Sequence, residues 1–352
     1  MSVAPDQRSC LAKLQVWNRD VRLNQTESDK RKMPEGESES RTARDRVGLA
    51  ITGATAAEAI ANIVAAEAAG VRQVWMTQGG MAPDDLTLYA VAATQTKTIS
   101  LGTAIVPTYP RHPLVMAQQA LTLHDIAPGR LRLGVGPSHR PAIEGVYGLP
   151  MASPLAHLRE YVTILRQALW QGQVDFQGAY YTVKATFPRT PQTPILISAL
   201  GVGAFHLAGA IADGAISWVC PVPYLRERAA PALQAGAAEA GRATPPLIAH
   251  VPVVLGTDAQ AVRAAARRRL GHYGHLPFYA NMFAAAGFPV SSDGTISDAL
   301  IDSLVVYGDE GAIAARLHDL LTQGLDELLL LLLPAEQPQE EQARLARLIG
   351  RF

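Results

Sequence analysis

Eight times along this chain a short run of aliphatic and β-branched residues passes, through Gly, Pro or a polar side chain, into a helix-length segment. The runs are 47–52, 73–77, 101–106, 130–135, 194–198, 214–219, 248–255 and 328–333. Helix-like stretches follow at 56–69, from Asp84 or Asp85, at 114–126 and 154–170, up to 212, 240 and 270, and at the C-terminal end. A crossover helix returns the chain to the start of the next strand in the same direction, so such strands pair in parallel. A parallel strand is covered on both faces and reads as a continuous apolar run. The six leucines at 328–333 fit that description, and they are too few to cross a bilayer.

Eight βα units in about 300 residues predict an α/β fold of the (β/α)8 barrel type. The competing open, doubly wound sheet usually has roughly five to seven strands and a glycine-rich turn after the first. Here Thr52-Gly-Ala-Thr55 does not complete that turn. Two connections exceed what a plain barrel needs. Residues 171–193 read as a small hairpin (Val174-Asp-Phe176, then Ala179-Tyr-Tyr-Thr-Val183), and residues 271–307 form a second insertion. Both are expected at the C-terminal face, as walls or a lid.

With 352 residues, 48% of them hydrophobic, the chain can bury a large core. Its 31 basic and 31 acidic side chains leave no excess to attract nucleic acid or an anionic membrane, and neither partner is expected. Cys10 and Cys220 are too few and too distant for a disulfide framework or a zinc site, so no metal is expected and the cytoplasm is the natural compartment. Residues 24–46 are rich in charged and small polar residues and cannot repay the entropy of ordering. The expected domains are therefore a disordered tail over 1–45 and a barrel over 46–352. The tail lacks the pattern of a secretory signal. Contact of Leu11, Leu14, Val16 and Trp17 with a neighbouring subunit, or a misassigned translation start, are the other readings of it.

Chemistry on such a fold belongs in the loops after the strands. Ser100 to Pro113 reads Ser-Leu-Gly-Thr-Ala-Ile-Val-Pro-Thr-Tyr-Pro-Arg-His-Pro, and Arg130 to Pro141 reads Arg-Leu-Arg-Leu-Gly-Val-Gly-Pro-Ser-His-Arg-Pro. After the fifth strand, Ser198-Ala-Leu-Gly-Val-Gly203 runs straight into a helix. Small residues there leave backbone N–H groups free for an anion, to which a helix N-terminus adds partial positive charge. A simple turn is the competing reading of this loop.

These residues carry a resemblance. The succession Ala65-Ala-Glu-Ala-Ala-Gly-Val-Arg-Gln-Val-Trp75, Leu101-Gly-Thr103, His112-Pro113, the Gln118 helix, Pro128-Gly-Arg-Leu131, Leu133-Gly-Val-Gly136, Arg159-Glu-Tyr161 and Ala208-Gly-Ala-Ile-Ala-Asp-Gly214 resembles the luciferase-like monooxygenase superfamily. Within it the chain is most similar to the branch using the 8-hydroxy-5-deazaflavin coenzyme F420. Pro107-Thr-Tyr-Pro-Arg-His-Pro113 and Gly136-Pro-Ser-His139 are similar to an actinobacterial subgroup of that branch. The resemblance covers roughly residues 46 to 335.

The resemblance implies a cofactor site made of several loops. A non-prolyl cis peptide at Ala104 and Ile105 is expected to press a bulge against the flat ring. The turn holding Gly134, Gly136 and Ser138 is expected beside that ring, where glycine lets backbone approach closely. Ala199, Leu200, Gly201 and Val202 are expected at the phosphodiester. Gln78 stands where related enzymes have an acid or a histidine; an amide cannot take a proton at neutral pH, which argues against alcohol oxidation and for reduction. His139 is the candidate proton donor, at a position where some relatives carry an acidic glutamate, and Tyr109 joins it as a catalytic candidate. A purely hydrogen-bonding His139 is the alternative. Arg140, Trp218, Cys220, Tyr273 and Tyr279 are the substrate candidates. His112 reads as a helix cap, and His124 and His157 as structural.

The expected function is transfer of a hydride from reduced F420 to a C=C or C=N bond of a small, fairly apolar molecule by a homodimer. An FMN-dependent monooxygenase of the same superfamily and a cofactor-free binding barrel are the alternatives.

Overall fold

The computed structural model describes residues 42–352. The tail expected over 1–45 lies outside the described residues, apart from 42–45. Those four already belong to the folded unit. Thr42 precedes a 3-10 turn, Ala43–Arg46, and both its N–H and its hydroxyl donate to Asp45. The Arg46 guanidinium donates to the carbonyls of Leu325 at 2.6 Å and Asp326 at 2.7 Å, fastening this turn under the barrel.

The strands are β1 Val47–Ala50, β2 Gln73–Met76, β3 Ser100–Thr103, β4 Val106–Pro107, β5 Leu131–Gly136, β6 Gln173–Gln177, β7 Thr182–Thr186, β8 Ile195–Ser198, β9 Gly214–Ile216, β10 Leu247–Leu255, β11 Val306–Gly308 and β12 Glu327–Leu332. Eight of them close a parallel barrel in the order β1-β2-β3-β5-β8-β9-β10-β12 and back to β1. The leucine run forms β12, buried throughout and held between β1 (Val47 opposite Leu328) and β10 (Ile248 opposite Glu327). β6 and β7 form the expected antiparallel hairpin.

Two elements depart from the sequence reading. The third strand, expected as one run over 101–106, breaks at a cis peptide between Ala104 and Ile105 and resumes as β4 against β5. Ahead of β12, the short β11 pairs with β10 and leads to a helix, Glu310–Thr322. Three strand residues carry too little periodicity to stand out in a sequence, and the long insertion before them hid the unit.

Side-chain size decides how the barrel interior fills. Trp75 on β2 lies between glycines of both neighbouring strands: a Cβ on Gly48 would come within 2.4 Å of the indole, and one on Gly102 within 2.3 Å. The Arg132 guanidinium covers the ring at 4.9 Å from its centroid. Arg132 also pairs with Glu327 at 2.6 and 3.1 Å and donates to Gln73 at 2.7 Å. Because these three residues stand at or near the starts of their strands, the pair closes the N-terminal end of the barrel. The opposite end is left open.

The outer helices begin where side chains satisfy their first N–H groups: Thr55, Asp84, Asp258, Ser297 and Asp309 each accept from the first turn. His112 does the same through Nδ1, accepting from Leu114 N–H at 3.2 Å. The helix Val202–Ile211 after β8 has glycine, Gly201, at this position and no side-chain cap.

Candidate active site

A cavity of about 690 Å³ opens at the C-terminal ends of the strands. Ala104 and Ile105 after β3, Ser138 and His139 after β5, and Ala199 after β8 all line it, so three separate loops converge on one space. Gln78 after β2 and Trp218 after β9 complete the barrel's share. The facing wall comes from the second insertion, a 3-10 turn Gly271–His275 followed by the helix Pro277–Ala285, which contributes His272, Tyr273, Tyr279 and Asn281.

Backbone conformation aims two of these side chains. Ser138 and Val219 both adopt left-handed φ, 61° and 51°, one just before His139 and the other just after Trp218. Such angles are unfavourable away from glycine and persist where surrounding structure holds them. Val219 N–H donates to His250 Nδ1 at 3.2 Å, and the Trp218 ring stacks on His250 at 3.7 Å. Behind Ser138, a π turn over Pro141–Val146 starts with Ala142 and Ile143 N–H groups both donating to the His139 carbonyl.

His139 is held below the ordinary histidine value, by burial first and by the neighbouring His272 second. His272 is lowered as well, chiefly by burial and then by Arg269. The Gln78 amide is tied into its own loop: Oε1 accepts from Asp85 N–H at 2.9 Å, and Nε2 donates to the Ala82 carbonyl at 3.2 Å. It braces the wall and has no basic function.

Six of the sequence candidates do not line the cavity. The Tyr109 ring stacks on His157 at 4.0 Å and its hydroxyl donates to the Ala152 carbonyl at 3.0 Å, because the β6–β7 hairpin builds an aromatic cluster there. Arg140 lies at the surface in an ion pair with Glu144 four residues on. Cys220 is buried, its thiol donating to the Trp218 carbonyl and pushed up to about 12 by burial. Gly134 and Gly136 lie beneath the lining: a Cβ on the first would meet the Thr103 carbonyl at 2.0 Å, and on the second the Ser198 hydroxyl at 2.1 Å. Val202 turns its side chain outward. The residue the sequence reading passed over is His272. Its neighbour Tyr273 was the available signal, since in a single 3-10 turn adjacent residues can both reach one cavity.

The platform can accept a flat ring and an anionic tail. Ala104, Ile105 and Ala199 present small or aliphatic surface, and nothing lies within 4 Å of a Cβ placed on Gly201. The N–H groups of Val202 and Gly203 make no hydrogen bond within the described residues. An anion meeting them would also meet the positive end of the helix.

A family model for luciferase-like monooxygenases matches residues 40–327. The chain belongs to the luciferase-like monooxygenase family. Among its relatives, the F420-dependent glucose-6-phosphate dehydrogenase of Mycobacterium leprae is 30% identical over 292 residues, covering 75% of this chain and 84% of that protein. Two solved structures share the fold. An F420-dependent secondary alcohol dehydrogenase has a TM-score of 0.71 at 19% identity, over 87% of this chain and 97% of its own. The F420-dependent tetrahydromethanopterin reductase of Methanopyrus kandleri has a TM-score of 0.67 at 21% identity, with the same coverage.

Proposed function

We propose that this member of the family is an F420-dependent oxidoreductase working as a reductase on a small, uncharged and largely apolar substrate. The observation that supports it best is the meeting, in one cavity, of the Ala104–Ile105 ledge, the Ser138–His139 turn and the Gly201–Gly203 helix start, where the N–H of Gly203, and of Val202 beside the lining, has no partner among the described residues. The ledge and Ala199 would hold the ring, and the first turn of the Val202–Ile211 helix the phosphodiester. When bound, the reduced deazaflavin supplies a hydride.

The protein's own part is to orient, exclude water and move a proton. Tyr279 and Tyr273 wall the space on the far side, with ring centroids 4.5 Å apart, and His139 lies against Tyr279 at 5.6 Å. His139 is the group we assign to protonate the acceptor atom that gains charge on reduction. Gln78 has no proton-accepting capacity where alcohol oxidation would require a base, and this favours the reductive direction.

Titration of the purified protein with F420 and with FMN tests the reading. Micromolar affinity for F420 and none for FMN is the expected result. The reverse preference would make the chain an FMN enzyme, and binding of neither would leave a barrel that works without a cofactor.

A further inference from the structure

Trp218 Nε1 lies 2.6 Å from the Tyr273 hydroxyl. An indole N–H can only donate, so the tyrosine oxygen must accept, and its own hydrogen has to point elsewhere. That hydroxyl makes no second hydrogen bond among the described residues, and Tyr273 lines the cavity. The pair is rigidly seated. The Trp218 ring stacks on His250, which is itself fixed by Val219 N–H, and Tyr273 packs against Tyr279. A hydroxyl that accepts from a fixed N–H is a better donor than a free one, because chained hydrogen bonds polarise each other.

The rest of the lining sharpens the point. Among the described residues, the cavity wall includes no Lys, Arg, Asp or Glu, and its two histidines are both biased toward the neutral form. A phosphate ester entering this space beyond the Val202 helix end would lose its hydration with no cation in return. Glucose 6-phosphate, in the name of the Mycobacterium leprae relative, is such an ester.

We propose that the Tyr273 hydroxyl, set by Trp218, is the specificity-determining donor of this site, and that it seats the carbonyl-type oxygen or nitrogen of an uncharged substrate. This names the substrate class within the reductase reading above, yet the recognition step needs no cofactor. It is tested by calorimetry with carvone, a ring enone, and limonene, which has the same carbon skeleton without the carbonyl. Glucose 6-phosphate serves as the anionic probe. Titrations are run on the protein alone and with saturating oxidised F420, so that failure to bind F420 is read separately from failure of the donor.

One neutral hydrogen bond predicts a preference for carvone of about five- to tenfold. Tyr273→Phe abolishes that preference and leaves limonene affinity unchanged. Trp218→Phe keeps a ring on His250 but frees the hydroxyl to rotate, and lowers the preference about two- to threefold. Equal affinities in the wild type, a preference that survives Tyr273→Phe, or glucose 6-phosphate binding as tightly as carvone would each overturn the proposal.

Discussion

Replacing Gly201 by Asp separates the two roles of the loop after β8. Gly201 is the N-cap of Val202–Ile211 with φ −87° and ψ 160°, an extended conformation open to any residue, and its Cβ position is empty to 4 Å. An aspartate therefore fits, and its carboxylate caps the first turn by accepting from Gly203 or Ala204 N–H. Relative to glycine that changes folding stability by only a few tenths of a kcal/mol, in the favourable direction. Phosphodiester binding moves the other way. A charge-assisted N–H donor is lost, about 1.5–3 kcal/mol. The new carboxylate also stands about 5 Å from the anion, adding about 1–3 kcal/mol of repulsion at effective dielectric constants of about 80 to 20. Because the mouth is open to solvent, the lower ends apply, giving a net loss of about 2–4 kcal/mol, or about 30- to 1000-fold in affinity. Fluorescence titration with F420, beside a thermal melt, measures both quantities. Gly201→Ala, which removes no donor, should stay within a few-fold of wild type. Unchanged affinity in a well-folded Asp variant, or an equal loss in the Ala variant, refutes the assignment of the anion to this helix end.

His139→Ala should leave F420 affinity within a few-fold and lower turnover by about two orders of magnitude or more; undiminished turnover removes it as the proton donor. Since that donor must be protonated and its pKa is depressed, kcat/KM should fall as pH rises, with the midpoint below the ordinary 6.5. His272→Gln removes a nearby charge and should shift that limb to higher pH; no shift means the two rings do not interact. His157 and His250 are buried with pKa values brought down to about 4 and about 3. Below pH 6.5 the unfolded chain binds protons that the folded chain refuses, so stability is lost as pH decreases, by about 1.4 kcal/mol per unit for each ring. His157→Gln should reduce the slope of unfolding free energy between pH 6 and 4.5 by about one proton; an unaltered slope contradicts its buried, neutral state. Gly102→Ala would drive a Cβ to 2.3 Å from the Trp75 ring and should cost about 1–3 kcal/mol, read as a lower denaturant midpoint. A midpoint equal to wild type would mean that Trp75 has room to move.

The eight barrel strands and the helices that follow them were legible in local pattern, whereas β11, its helix and the break between β3 and β4 were not. Eight apolar runs divided by helix-length segments admit a closed parallel barrel, and the buried leucines of β12 show why: a strand covered on both faces has no alternation to hide. Ser138 and Gly201 were also readable as cavity residues, because they stand just past strand ends where a loop must begin, whereas Ala104 fell inside an expected strand and was named only through the family resemblance. Direction of side chains was not readable. Tyr109 lies as close to a strand end as Trp218 does, and Cys220 follows Trp218 by two residues, yet the hairpin draws Tyr109 onto His157 and the Val219 backbone turns Cys220 into the core.

Hydrogen-bond direction between distant residues belonged to the tertiary structure alone. Trp218 follows β9 and Tyr273 opens the insertion 55 residues later, and nothing local in either segment implies that an indole N–H and a phenol meet at 2.6 Å. Backbone propensity acts over a few residues and is written in neighbours, whereas the fit of side chains across a cavity depends on the closure of the whole barrel. The chain thus declares its architecture through periodicity, and only the packed barrel decides which polar atom is left free to greet a substrate.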